Sequence, residues 1–186
     1  MAKKILILNG GPRLAGNTME LVKAFTEGAE KSGAEVTRFD LDRMDIHGCK
    51  GCLCGGKNPD SPCVQKDDME KVYPVYKAAD VLVFASPLYY WGLTGQLKTA
   101  LDRLFAVTES DPNWTTPKKS IALLMAAEGN SDANNAPILS YMDSLAGFLD
   151  WTNLGHVIAG GNLRLGDIKG KPEIDEARAF GAKCAR

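Results

Sequence analysis

The stretch KKILILNGGPRLAGNT, residues 3–18, decides the fold. Ile5 to Leu8 form a short, uninterrupted apolar run, the pattern of a strand buried on both faces of a parallel sheet. A glycine turn follows. Beyond it, Leu21, Val22, Phe25 and Ala29 recur on one face of a helix running from Asn17 to Lys31, which Gly33 stops. Gly10 and Gly11 lack a Cβ, so a ligand can come close to their backbone. The unpaired amides at the helix start carry the positive end of the helix dipole, which suits a phosphate. Asn17 is placed to cap the helix with Glu20, and the Thr18 hydroxyl and Arg13 guanidinium are placed to reach an anion. The plainer alternative is a glycine turn with an ordinary cap. Its position directly after the first strand favours the phosphate site. The loop has neither the GK[ST] ending of a nucleoside triphosphate cradle nor the G-x-G-x-x-G spacing of a dinucleotide fold.

Working outward, strand-length apolar runs alternate with segments of helical period. EVTRFDL gives a second strand, VLVFA (Val81 to Ala85) a third, SIALLMA a fourth and HVIAGG a fifth. Helices are expected over Asp67 to Ala79 and along the Leu93, Leu97, Leu101, Phe105 repeat. A further helix is marked by Ile138, Met142, Leu145 and Leu149, and the last begins after Pro172. Five strands alternating with five helices imply one doubly wound α/β domain over residues 1–186, with a parallel sheet covered on both faces. Ligands in such folds sit at the carboxyl ends of the strands. The loops after Leu8, Ala85 and Ala126 are therefore the ones to examine.

The bulk numbers agree with an ordinary globular chain. Its 186 residues fit one core, hydrophobic residues make up 45% and charged residues 24%, and the net charge is −1. That balance leaves no basic footprint for nucleic acid or an anionic membrane. The apolar run at the start is too short for a secretory signal, and no stretch approaches the roughly 20 apolar residues of a membrane span. A soluble, cytoplasmic protein is expected.

After the third strand comes SPLYYWGLTGQLKTALDR, Ser86 to Arg103. Pro87 stiffens the strand exit. Tyr89, Tyr90 and Trp91 offer aromatic faces to a flat heterocycle, and backbone amides near Gly92 can bond its polar edge. Filling of the sheet–helix junction or a subunit interface accounts for the same aromatics equally well. In the third loop, AAEGNSD, topology points to Glu128 and Gly129.

NGGPRLAGNT resembles the S-P-R-x-x-G-N-T phosphate loop of the NADPH-dependent FMN reductase branch of the flavodoxin-like proteins, with Gly11 in place of the usual serine. SPLYYWGLTGQLKTALDR is similar to that family's isoalloxazine-contacting segment, and the two motifs occur in the right order. The resemblance implies a flavodoxin-like sheet of order 2-1-3-4-5 that binds FMN. Gly11, Pro12, Arg13, Asn17 and Thr18 would lie at the phosphate, and Pro87, Leu88, Tyr89, Tyr90, Trp91 and Gly92 at the ring. It also implies a homodimer or higher homo-oligomer. Lys98, Asp102 and Arg103 match the family pattern but read as packing and surface pairing. No catalytic side chain is expected, because FMN itself would carry hydride from NAD(P)H to a flavin, quinone or other acceptor.

Four of the five cysteines, Cys49, Cys52, Cys54 and Cys63, form C-x2-C-x-C-x8-C in a loop running from His47 to Pro62 and just beyond. Thiolates this close suit an iron–sulfur cluster or zinc, a redox pair, or free structural thiols. Iron–sulfur flavoproteins, a branch of the same family, carry a compact cysteine motif at this point. Their C-x2-C-x2-C arrangement differs from the present one, where only Leu53 separates Cys52 from Cys54. The branch implies a second function, a non-enzymatic electron carrier with FMN and a cluster. His47 reads as a surface residue and His156 as an interior or edge histidine of the fifth strand.

Overall fold

The computed structural model describes residues 2–56 and 58–186. The sheet has five parallel strands in the order β2-β1-β3-β4-β5. They are β1 (Lys4–Asn9), β2 (Glu35–Asp40), β3 (Val81–Pro87), β4 (Ser120–Ala126) and β5 (Thr152–Ala159). The helices are α1 (Asn17–Lys31), α2 (Met69–Ala78), α3 (Gly95–Arg103), α4 (Phe105–Glu109), α5 (Asp132–Leu149) and α6 (Glu173–Cys184). This is the flavodoxin-like, doubly wound arrangement expected from the sequence.

Alternation along the central strands explains why they are apolar throughout. Leu6, Leu8, Leu82, Phe84, Leu123 and Met125 point into one core, with α2, α3 and α5. Their neighbours Ile5, Ile7, Val81, Val83, Ala122 and Leu124 point into the other, with α1 and α6. Each strand residue is buried, but successive residues serve opposite faces.

Two boundaries differ from the sequence reading. The helix expected to run continuously to Phe105 breaks at Leu104, whose amide donates to Leu101 O three residues back at 3.1 Å. Phe105 continues the spacing of four in sequence but is 45% exposed, so it lies off the buried stripe. The fifth strand begins at Thr152, four residues before His156. Its first half belongs to an edge strand and carries exposed polar residues, so it shows no apolar signal. His156 is exposed on that edge.

The long connection from β2 to α2 contains all four clustered cysteines, and its base is clasped by a buried ion pair. Arg103 Nη1 donates to Asp67 Oδ2 at 2.6 Å and to His47 O at 2.7 Å, while Nη2 donates to Asp67 Oδ1 at 3.1 Å. The amides of His47 and Met69 also donate to the Asp67 carboxylate. The side chains of Arg103 and Asp67 are 1% and 0% exposed. The packing role expected for Arg103 is therefore seen, and Lys98 pairs with Asp102 on the surface at 2.6 Å.

Burial pushes the Asp67 carboxyl up, but the bonds from Arg103 and the two amides outweigh it and hold its pKa below the ordinary 3.8. The pair's contribution is therefore fully present above the unfolded aspartate value and is lost as pH falls through the lowered folded value. Arg103→Met leaves the Asp67 charge buried without its partner and is expected to cost about 3–5 kcal/mol in urea unfolding at pH 7. An aspartate left buried without its partner has a raised pKa, so the loss should shrink as pH falls through that raised value; a loss unchanged down to about pH 3 would show that the pair is not the cause.

Candidate active site

The carboxyl ends of β1, β3, β4 and β5 surround one cleft of about 260 Å³. The loop after β1 supplies Gly11, Pro12, Arg13, Asn17 and Thr18 to its wall, together with Gly16. Pro87, Leu88 and Tyr89 face them from the end of β3, and Glu128 comes from the loop after β4. Two segments far apart in sequence thus meet across the cleft, as the order of the strands requires.

Buried hydrogen bonds hold the first loop in shape. Asn9 Oδ1 accepts from the Gly11 amide at 3.1 Å, and Asn9 Nδ2 reaches Asp40 at 2.8 Å. The Gly10 amide donates to Ala85 O at 2.8 Å. Thr94, which is 1% exposed, donates its hydroxyl proton to Gly10 O at 3.0 Å, while its amide donates to Ser86 Oγ at 3.0 Å. The same Thr94 oxygen accepts from Leu97 N and so caps α3. A Cβ on Gly10 would lie 2.3 Å from this oxygen, so only glycine lets the two loops approach this closely.

Asn17 behaves differently from its expected role. Gly16 occupies the cap position of α1, and no side chain caps the helix. The Asn17 amide instead spans to the loop after β5: Nδ2 donates to Arg164 O at 2.8 Å, and Oδ1 accepts from Gly166 N at 3.0 Å. Asp167 closes the same loop by accepting from the Leu163 and Arg164 amides. With its side chain engaged there, Asn17 faces the cleft as a staple. The first-turn amides of α1 keep no intrahelical partner. Among the described residues, the Thr18 hydroxyl and the Arg13 guanidinium make no hydrogen bond within the chain.

Tyr90 and Trp91 sit just outside this cleft. With Tyr89 and Gly92 they make a tight turn closed by two backbone bonds of 3.0 and 3.3 Å. Both have left-handed backbones, at φ 47° and 61°, a conformation that side chains larger than glycine adopt at some cost. Tyr90 is 95% exposed and Trp91 56%. Leu88, Tyr90, Trp91, Glu128, Gly129 and Asn134 border a second depression of about 190 Å³ beside the cleft. Gly92 closes the turn and lines neither space.

The sequence reading missed the wall after β5, where Asn162 and Leu163 line the cleft. Asn162 is buried, donates to Ala159 O and Gly160 O, and leaves its Oδ1 without a partner. The signal was the Gly160-Gly161 pair at the carboxyl end of the fifth strand.

The family model described as NADPH-dependent FMN reductase matches residues 3–161. The chain belongs to that family. Among relatives of known name, an iron–sulfur flavoprotein of Methanocaldococcus jannaschii is 34% identical over 127 residues, covering 68% of this chain and 63% of the relative. The match thus spans less than two thirds of that relative's length. A Bacillus subtilis protein named as an NAD(P)H-dependent FMN-containing oxidoreductase is 27% identical over 171 residues, covering 89% of this chain and 88% of the relative. The solved NAD(P)H:quinone oxidoreductase from Methanothermobacter marburgensis superposes with a TM-score of 0.76 at 21% identity, covering 100% of this chain and 98% of that one. At that identity the likeness extends to the fold alone.

Asn17→Ala removes both bonds to the loop after β5 without touching the α1 cap. Hydrogen exchange at the Gly166 amide is expected to speed up several-fold, in line with the roughly 1 kcal/mol of a lost hydrogen bond. Exchange within α1 should stay unchanged. Equal speeding across α1 would show that Asn17 caps the helix after all.

Proposed function

We propose that this chain is an FMN-dependent oxidoreductase that takes reducing equivalents from NAD(P)H and passes them to a small acceptor such as a flavin or quinone. The observation that carries the reading is the single cleft, which has an anion-binding helix start on one side and the Pro87–Tyr89 segment on the other. Family membership and the name of the Bacillus subtilis relative support it.

The residues fit FMN. The first-turn amides of α1, the unpaired Thr18 hydroxyl and the unpaired Arg13 guanidinium would hold a phosphate. Pro87, Leu88 and Tyr89 would flank the flat ring, with Glu128 and the partnerless Asn162 oxygen at the opposite wall. Tyr90, Trp91 and Gly129 would border the depression beside it. When bound, FMN supplies the atom that accepts hydride, and no protein acid or base is needed. The protein's part is to hold the ring, keep one face open and place amides against its polar edge.

The aromatic turn supports a homodimer. Two large aromatic side chains held out in left-handed backbone conformations at the rim of a cleft are well placed to meet a second copy. The five free cysteines suit a reducing compartment, which supports a cytoplasmic setting. Among the described residues no helix is long and apolar enough to cross a membrane.

The electron-carrier reading depends on a cluster held by four cysteines, and the side chains do not assemble one. Among the described residues, no three His, Cys, Asp or Glu side chains are grouped so as to hold a metal ion.

Purified protein titrated with FMN is expected to quench flavin fluorescence. Arg13→Ala and Thr18→Val should each weaken binding roughly tenfold, the equivalent of about 1.4 kcal/mol. The loaded protein should oxidise NAD(P)H with a quinone as acceptor; flavin binding without turnover would leave a carrier. Tyr90→Ser with Trp91→Ser should shift the mass measured by light scattering from dimer to monomer, and an unchanged mass would place any interface elsewhere.

A further inference from the structure

Three of the four clustered cysteines border one cavity. Cys49, Cys52 and Cys63 line a small cavity of about 40 Å³, walled on its far side by Arg103, Phe105 and Glu109. Cys49 and Cys52 are exposed and Cys63 is half-buried. Cys54 is not part of this lining, because its thiol donates to Cys52 O at 3.0 Å. The expected set of four cysteine ligands is therefore not assembled.

The backbone keeps Cys54 apart. Leu53, between Cys52 and Cys54, has a left-handed φ of 49°. On the other side, Gly56 donates to Pro62 O at 2.8 Å and is pressed against the end of α4. A Cβ on Gly56 would lie 2.1 Å from Glu109 O, and one on Gly55 2.6 Å from Glu109 Oε2. Leu53 and Gly55, on either side of Cys54, line the cavity, but the Cys54 thiol is turned to Cys52 O. A cube of iron and sulfide held by four thiolates needs all four to face one centre, and among the described residues no three of these side chains are grouped in that way.

A second observation concerns two buried donors, Arg103 on the cavity wall and Tyr73 in the core. Arg103 Nε and the Tyr73 hydroxyl are both buried without a hydrogen-bond partner. Cys63 lines the cavity with Arg103 and packs against the core cluster that holds Tyr73. Buried donors left unpaired are costly, and the wall that carries Arg103 also carries the half-buried Cys63. One cysteine is thus half-buried on the wall that carries Arg103, while two others are exposed.

We propose that this loop is a thiol–disulfide exchange site for low-molecular-weight disulfides, with Cys63 and one of the exposed pair Cys49 and Cys52 as its two sulfurs, and that it does not build a four-cysteine cluster. An exposed cysteine sulfur attacks one sulfur of the incoming disulfide. The S–S bond of the reagent breaks, and its other half leaves as a thiol. Cys63 then attacks the protein-side sulfur of the mixed disulfide and expels the second half, again as a thiol. The loop loses two S–H bonds and gains one S–S bond. The reagent gains two S–H bonds, so it takes up the electron pair and both protons. The site does not depend on the flavin reading.

The test uses the whole protein, purified anaerobically and reduced, with oxidised glutathione as the probe. Iron and acid-labile sulfide are measured first. Free thiols are then blocked after exposure to the probe, and peptides are mapped by mass spectrometry. The expected result is iron and sulfide far below one cluster per chain and a disulfide joining Cys63 to Cys49 or Cys52. Cys54→Ser should oxidise like the parent, whereas Cys63→Ser should stall as a glutathione adduct on Cys49 or Cys52. Stoichiometric iron and sulfide that disappear in Cys54→Ser would overturn the proposal. So would a disulfide through Cys54, or no disulfide in the parent. Flavin content, read from its own absorbance in the same sample, reports separately on the proposed FMN site.

Discussion

The buried Thr94 hydroxyl donates to Gly10 O and accepts from Leu97 N, so one side chain both starts α3 and fixes the glycine loop after β1. Ser86 completes the brace by accepting from the Thr94 amide. These bonds are sealed between two strand ends, where an unmade bond would cost more than a made one contributes. The distance between the start of α1 and the Pro87–Tyr89 segment is therefore not adjustable. Both walls of the cleft are referred to one point, and Gly10 lacks a side chain because that point lies where its Cβ would be.

A second brace serves the other side of the fold. Arg103, on the last turn of α3, reaches across to Asp67 and His47 and closes the base of the cysteine loop. The helix whose start is tied to the cleft thus has its end tied to the thiols. The two ends of α3 serve two different cavities, which have no lining residue in common.

Much of this was legible along the chain. Uninterrupted apolar strands require burial on both faces, and strand–helix alternation then leaves few topologies. The first wall of the cleft was legible because it is made by backbone and side chains of one contiguous stretch. The aromatic loop was legible as a motif, but its division into Tyr89 within the cleft and Tyr90 and Trp91 at the rim was not. That division comes from a turn with two left-handed residues, which nothing about tyrosine or tryptophan announces.

The sequence by itself determined the element order, the two-sided core and the position of the glycine loop before α1. Each of these follows from local periodicity or from a run of neighbouring residues. Only the tertiary structure decided that Asn17 staples the loop after β5, that Asn162 and Leu163 wall the cleft, and that three cysteines border one cavity while Cys54 turns away. Those facts depend on partners 147 and 149 residues distant in sequence, or on a backbone wedged against α4. Spacing along a chain specifies which residues are neighbours on one element; it does not specify which side chain a distant loop will meet, because that is set by how the elements pack.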